Sequence, residues 1–166
     1  FGLFQSGKYD ESETVLREAL VIRQKSFAGE SVEVANSLNE LGLVLKVKDE
    51  TDEAELLYRR ALAMRRKLLG NEHPEVSSTL NNLGRLLLDK GNYHEAESLL
   101  REAVGLDRKI LGPDHPDLAI TMSNLGWALR EQKKYEEAEK IFRDALGIRK
   151  RALGDVHPAI GTNIYA

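Results

Sequence analysis

An all-α solenoid of antiparallel helix pairs is the fold this sequence predicts, and three observations carry the prediction. The first is repetition. Leu69 to Gly84, LGNEHPEVSSTLNNLG, returns as LGPDHPDLAITMSNLG from Leu111 to Gly126, and its second half stands upstream as EVANSLNELG from Glu33 to Gly42. Gly42, Gly84 and Gly126 lie 42 residues apart, as do Gly70, Gly112 and Gly154, and the series Ala19, Ala61, Ala103 and Ala145. Residues 70–111 and 112–153 share 16 identities in 42 positions, most of them small or apolar, so the unit that repeats is a packing unit. A period between about 20 and 50 residues marks a stacked array. The second observation is that apolar residues inside each unit recur at helical spacing and do not alternate. The third is punctuation, with proline opening segments and glycine closing them.

Taken in order, residues 1–8 align on the period with the end of a first helix, Phe1, Leu3 and Phe4 matching Trp127, Leu129 and Arg130, so a partial repeat over 1–28 is expected. Its second helix runs from Tyr9 to Phe27, with Ser12, Leu16, Ala19 and either Ile22 or Arg23 on one face and acids early, bases late, as the helix dipole prefers. Ala28-Gly29-Glu30-Ser31 breaks the pattern in the one linker that lacks His-Pro. Complete repeats are expected over 32–70, 74–112 and 116–154. The first pairs Val32–Lys48 (Val34, Leu38, Leu41, Leu45 inward) with Asp52–Leu69 (Ala54, Leu57, Tyr58, Ala61, Leu62). The next pairs Pro74–Lys90 (Val76, Leu80, Leu83, Leu87) with Tyr93–Leu111 (Ala96, Leu99, Leu100, Ala103), and the last Pro116–Lys133 with Tyr135–Leu153. Residues 158–166 open a further first helix.

Pro74, Pro116 and Pro158 suit the first helical position, which makes His73, His115 and His157 cap residues. Gly70, Gly112 and Gly154 are expected to end helices at positive φ. Gly42, Gly84 and Gly126 sit inside helices at a cost of about 1 kcal/mol each against alanine, so close approach of the partner helix is expected there, with Ala54, Ala96 and Ala138 opposite.

Composition narrows the function. A formal charge of −3 with Lys and Arg scattered among Asp and Glu offers no basic face to a phosphate backbone, so nucleic acid is not an expected partner. No apolar run approaches the roughly 18–20 residues of a membrane span, and Phe1-Gly2-Leu3-Phe4 is too short to read as a signal peptide, so no membrane partner is expected. Absence of cysteine removes disulfides and thiolate zinc sites and favours a reducing, cytoplasmic location. The three histidines fall one per repeat, too far apart to share an ion at about 2.0–2.1 Å. HEAE at 94–97 is not HExxH, since Ser98 stands where the second His would be, and neither a G-x-S-x-G nor a glycine-rich phosphate loop is present. No catalytic, metal or cofactor site is expected.

At residues 80–104, LNNLGRLLLDKGNYHEAESLLREAV resembles the tetratricopeptide repeat, with Gly84, Ala96 and Ala103 at its small positions and Leu80, Leu83, Leu87 and Leu100 at its large ones. That repeat is usually about 34 residues long. The 42-residue unit and its LG-x-x-HP linker look like the longer repeats of kinesin light chains, nephrocystin-type proteins and related bacterial arrays. The resemblance implies a right-handed superhelical solenoid whose first helices face a concave groove, acting as a scaffold for a protein or peptide partner. Similar arrays also serve as regulatory or docking segments of larger enzymes, and a self-assembling structural module is a further alternative.

On that expectation the groove collects rows one period apart: Asn39, Asn81 and Ser123; Glu40, Asn82 and Asn124; Leu43, Arg85 and Trp127; Asn36, Ser78 and Ile120; Lys46, Leu88 and Arg130. Candidate peptide-binding residues are Asn39, Asn81, Asn82, Arg85, Leu88, Asn124, Trp127 and Arg130. An amide offers donors and an acceptor to any main chain, Arg85 and Arg130 suit acidic groups, and Leu88 with Trp127 suits an apolar anchor. The competing reading makes the asparagines interhelical bonding groups and packs Trp127 against the next repeat. Glu40 would repel a terminal carboxylate. Apolar Phe1, Leu3, Phe4, Ile160, Ile164 and Tyr165 at the ends imply weak end-to-end self-association.

Overall fold

A computed structural model describes residues 8–26 and 30–153. Among them are seven α-helices, α1 (Tyr9–Ser26), α2 (Val32–Val47), α3 (Thr51–Leu69), α4 (Pro74–Asp89), α5 (Tyr93–Leu111), α6 (Pro116–Glu131) and α7 (Tyr135–Leu153). The described residues form no strand. First helices α2, α4 and α6 are 16 residues long and second helices α3, α5 and α7 are 19, each set starting 42 residues apart. The chain is therefore an all-α solenoid in which each pair packs on the next. The apolar residues expected at either end, Gly154 and the cap at His157, lie outside the described residues.

Amphipathic spacing becomes burial. Val34, Leu38, Leu41 and Leu45 of α2 and Val76, Leu80, Leu83 and Leu87 of α4 are all buried, and Leu118, Met122, Leu125 and Leu129 of α6 continue the same face. Burying one such side chain contributes roughly 1.5–3 kcal/mol, and no helix here buries its stripe without a neighbour. In α1 the choice between Ile22 and Arg23 falls to Arg23, whose Nη1 donates to Ser37 Oγ while Ile22 is exposed.

The helical glycines do mark close contacts, but the residues they meet correct the expectation. A Cβ on Gly84 would stand 2.6 Å from Leu100 Cγ, one on Gly126 2.6 Å from Phe142 Cε1, and one on Gly42 3.0 Å from Tyr58 Cε1. Ala54, Ala96 and Ala138 are buried but are not the facing residues. The array does not set small against small; each glycine clears space for a large side chain one turn past the alanine. Tyr58 is fully buried, its hydroxyl meets no hydrogen-bond partner among the described residues, and burial pushes its pKa up.

Caps hold the linkers. His73 Nδ1 accepts from the Glu75 N–H and His115 Nδ1 from the Asp117 N–H, each at 3.2 Å, with proline next in sequence. Where His-Pro is missing, Ser31 Oγ accepts from the Val34 N–H at 3.2 Å. Gly70 and Gly112 close α3 and α5 at φ 82° and 91°. Inside each pair a second left-handed residue recurs, Asp49 (φ 67°), Gly91 (φ 78°) and Lys133 (φ 63°). It lets the next N–H reach back five residues, Glu50 to Leu45, Asn92 to Leu87 and Lys134 to Leu129 at 2.8–3.0 Å, the Schellman closure of a helix C-terminus.

Ion pairs form two repeating seams, one between successive helix pairs and one that ties the end of each second helix to the linker entering its own pair. Arg17, Arg59 and Arg101 bridge to Glu53, Glu95 and Glu137 of the following second helix at 2.6–2.8 Å while pairing with Glu13, Glu55 and Glu97 on their own. Lys67 with Glu30, Lys109 with Glu72 and Arg151 with Asp114 form the other seam. Exposed pairs contribute about 0–1 kcal/mol each, so their recurrence matters for register more than for total stability.

Candidate functional site

Stacking brings the first helices α2, α4 and α6 side by side and puts their asparagines in reach of one another. Asn82 Nδ2 donates to Asn39 Oδ1 at 3.2 Å, and Asn124 Nδ2 donates to Asn81 Oδ1 at 2.8 Å. The partners are 43 residues apart, so the bonds run diagonally between the two predicted rows. Each bond uses one donor and one acceptor of amides that have more to give. Among the described residues Asn39 and Asn81 keep their Nδ2 groups, and Asn82 and Asn124 their Oδ1 atoms, outside any hydrogen bond, and none of these atoms is a buried orphan.

A pocket of about 350 Å³ opens where the C-terminal halves of α4 and α6 meet, lined by Arg85, Leu88, Tyr93, Asn124, Trp127 and Glu131, with Asp89 at its edge. Trp127 is held there from two directions. Its ring meets Phe142 of α7 edge-on, centroids 5.8 Å apart at 77°, and Arg130 Cζ lies 4.8 Å from its centroid. Such contacts contribute roughly 0.5–1.5 kcal/mol each beyond area and fix the indole plane. Asp89 is tied back to Lys46 of α2 at 2.7 Å. Four of the eight predicted residues, Arg85, Leu88, Asn124 and Trp127, thus share one pocket, Arg130 stacks on its wall, and Asn39, Asn82 and Asn81 continue the ladder away from it.

On the other side of the Asn81–Asn124 bond lies a second pocket, about 330 Å³, between the N-terminal halves of α4 and α6 and the end of α5. Its polar lining is Ser77, Ser78, Asn81, Asp107, Asp117 and Thr121. Asp107 is only 8% exposed, and its carboxylate accepts from the Ser77 hydroxyl at Oδ1 and from the Thr121 hydroxyl at Oδ2, the latter at 2.6 Å. Asp107 stands outside the polar rows that the sequence offers for a groove. The signal was there in the period, for 23, 65, 107 and 149 are equivalent positions and read Arg, Arg, Asp, Arg.

At Arg65 the same position is filled by a long side chain, 5% exposed. Arg65 donates to Asn36 Oδ1 (2.6 Å), Thr79 Oγ1 (2.5 Å) and the Glu75 carbonyl (3.0 Å), and Nε stands 3.3 Å from Glu75 Oε2. Burial lowers its pKa, which the Glu75 and Glu40 carboxylates oppose. Among the described residues no group of three or more His, Asp or Glu is placed to hold a metal ion, and no helix is long and apolar enough to cross a membrane.

The profile of the tetratricopeptide repeat matches residues 2–67, 34–109 and 75–151 in overlapping passes. The chain belongs to the tetratricopeptide repeat family. Among solved structures this repeat array is similar to the nearly identical repeats of a putative kinesin light chain from Podosopora anserina, at 24% identity and TM-score 0.85, covering 97% of this chain and 76% of that one. It is also similar to BtubC (BKLC) from P. vanneervenii, at 21% identity and TM-score 0.85 over 97% of this chain and 64% of that one. A further likeness, to Pseudomonas aeruginosa pilF, has 23% identity and TM-score 0.71 over 98% and 61%. Comparison with curated protein sequences finds no match.

Proposed function

We infer that this tetratricopeptide repeat array is a non-catalytic scaffold that lays an extended segment of a partner protein along α2, α4 and α6. Tetratricopeptide repeats are in general protein-interaction scaffolds. The observation that carries the finer reading is the unused half of the asparagine ladder. The unbonded Nδ2 groups of Asn39 and Asn81 and Oδ1 atoms of Asn82 and Asn124, the last on a side chain only 9% exposed, provide donors and acceptors of the kind an extended main chain requires whatever its side chains. Trp127, clamped by Phe142 and Arg130, supplies a rigid apolar anchor beside Arg85 and Leu88. The bonds between helices are themselves the competing role of the asparagines, and on the present reading they also orient the atoms left for the ligand.

A peptide library selected on the wild-type array, with hits re-measured on three variants, tests this. The double variant Asn82→Ala with Asn124→Ala should weaken hits by roughly 1–3 kcal/mol, and Arg85→Glu should weaken chiefly acidic hits, more so at low salt. Arg60→Glu, at an exposed position of α3, should leave them unchanged. If Arg60→Glu weakened the hits as much as the α4 and α6 variants did, the partner would lie elsewhere and the reading would fall. The double variant also breaks both ladder bonds, so its melt should drop by about 1–2 kcal/mol, and Arg85→Glu is the cleaner probe.

A further inference from the structure

Two junctions of the array are built on one template and differ at one critical residue. Where α2, α3 and α4 meet, the Arg65 guanidinium sits among the side chains of Asn36, Glu75 and Thr79. Forty-two residues on, where α4, α5 and α6 meet, those three positions are Ser78, Asp117 and Thr121, and Arg65 itself is replaced by Asp107. All four line the 330 Å³ pocket. The short aspartate leaves open the volume that arginine occupies one repeat earlier, and it keeps the arginine's receptor.

We propose that this pocket takes an arginine side chain from the partner segment, which fills in trans the place that Arg65 fills in cis. Only the path of the partner's main chain rests on the function inferred above. Both Asp107 oxygens accept one hydroxyl hydrogen each and retain lone pairs for the two parallel N–H bonds of a guanidinium fork. Thr121 donates to Asp107, at 2.6 Å against 3.3 Å to the Asp117 carbonyl, and keeps its own lone pairs free to accept. Thr79 behaves the same way, donating to the Glu75 carbonyl at 2.8 Å while it accepts from Arg65.

Charge points the same way as shape. Asp107 is more than nine-tenths buried, and no described basic side chain pairs with it, so its desolvation is offset by hydroxyls alone. A cation entering the pocket completes the pairing that burial of a charge demands. Pro74, Ile110, Leu111 and Ile120 form apolar walls suited to a methylene stem, and Ile120 is 47% exposed with nothing else to cover it among the described residues. Asp117 at the rim excludes phosphate and carboxylate groups, and the planar geometry of the receptor favours arginine over lysine.

The test titrates the array with the blocked tripeptide acetyl-Gly-Arg-Gly-amide and with its citrulline counterpart, following the amide resonances of Ile120 and Thr121. Arginine should move both resonances at a concentration about tenfold or more below that needed for citrulline, because the shapes match and only the charge differs. Asp107→Asn should abolish that difference. Asp107→Arg should fill the pocket from within and abolish the response, with a melt at or above that of the wild type showing that the array stays folded. Equal responses to arginine and citrulline, or an arginine preference that survives Asp107→Asn, would overturn the assignment. Library hits that depend on Arg85 and the asparagines yet show no arginine preference would also overturn it while leaving the scaffold reading intact. A response of Ile120 and Thr121 to the arginine tripeptide with no library hit along α2, α4 and α6 would do the reverse.

Discussion

The junction of α3 on α4 is closed and the junction of α5 on α6 is open, although backbone, helix lengths and register are the same in both. Arg65 closes the first with three hydrogen bonds and an ion pair, all but buried. Asp107 leaves the second with two hydroxyl bonds and a pocket. A repeat array can therefore keep its fold through the apolar positions while single polar positions decide which junction is filled from within and which is left open. The fold sits in what recurs, and the difference between junctions sits in what breaks the recurrence.

The strongest way to break this contrast is Arg65→Asp, which imports the open junction into the closed one. The new carboxylate faces Glu75 and lacks the serine at 77 that supports Asp107, its counterpart at 35 being alanine. A loss of about 3–5 kcal/mol is expected, since one partner of a buried charged network is removed and an unpaired charge left behind. Urea denaturation measures it, and a loss below about 1 kcal/mol would mean that Arg65 is not what holds the junction shut.

A second expected effect concerns acid. Burial raises the Glu97 pKa, but hydrogen bonds from Lys134, Arg101 and Gln132 outweigh it and bring the group down from 4.5 to about 2. Its equivalent Glu55 is also held low, by Lys90 ahead of Arg59. The folded carboxyl resists protonation until near pH 2 while the unfolded one protonates near 4.5, so its contribution is full above about pH 4.5 and is lost as pH falls toward 2. With screening at the half-exposed Lys134 and Arg101 allowed for, the contribution is on the order of 2 kcal/mol. In acid titrations followed by circular dichroism, Glu97→Gln should be less stable than wild type at neutral pH and should approach it near pH 2. Parallel curves at all pH values would contradict the assignment.

Smallest is the connector. Lys133 holds φ 63° where Gly91 holds φ 78° in the preceding pair. Lys133→Gly should raise stability by about 1 kcal/mol by relieving a side chain of the left-handed region, visible as a few degrees in a thermal melt. An unchanged or lower melt would show that the lysine side chain compensates.

These cases also show what was legible in advance. Helix ends fell within two residues of expectation because proline, histidine caps and glycine are chemical stops, and their spacing repeats. The histidine caps followed from the same logic and hold at His73 and His115. The partner of Gly84 was misread because a helical glycine suggests another small residue opposite, whereas packing uses the gap for Leu100. Asp49 and Lys133 carry no turn signal of their own; only their register with Gly91 gives them away. In the site, the asparagine rows were visible, but the diagonal bond depends on how far one helix slides past the next, which no single sequence encodes. Asp107 was hidden for a different reason: an isolated aspartate on a helix looks solvated until it is set against its equivalents in the other repeats.

The two ion-pair seams have a mechanical consequence. The bridges between pairs, such as Arg59 to Glu95 and, beside it, Arg66 to Glu102, connect residues 36 apart, and each joins neighbours without skipping a unit. Tension applied along the array is then carried in series, junction after junction, and never in parallel. Because these bridges are surface contacts, added electrolyte weakens them all together, and the array becomes a spring whose stiffness falls with ionic strength. A ligand bound across α4 and α6 would splint one joint of that spring and leave the rest compliant.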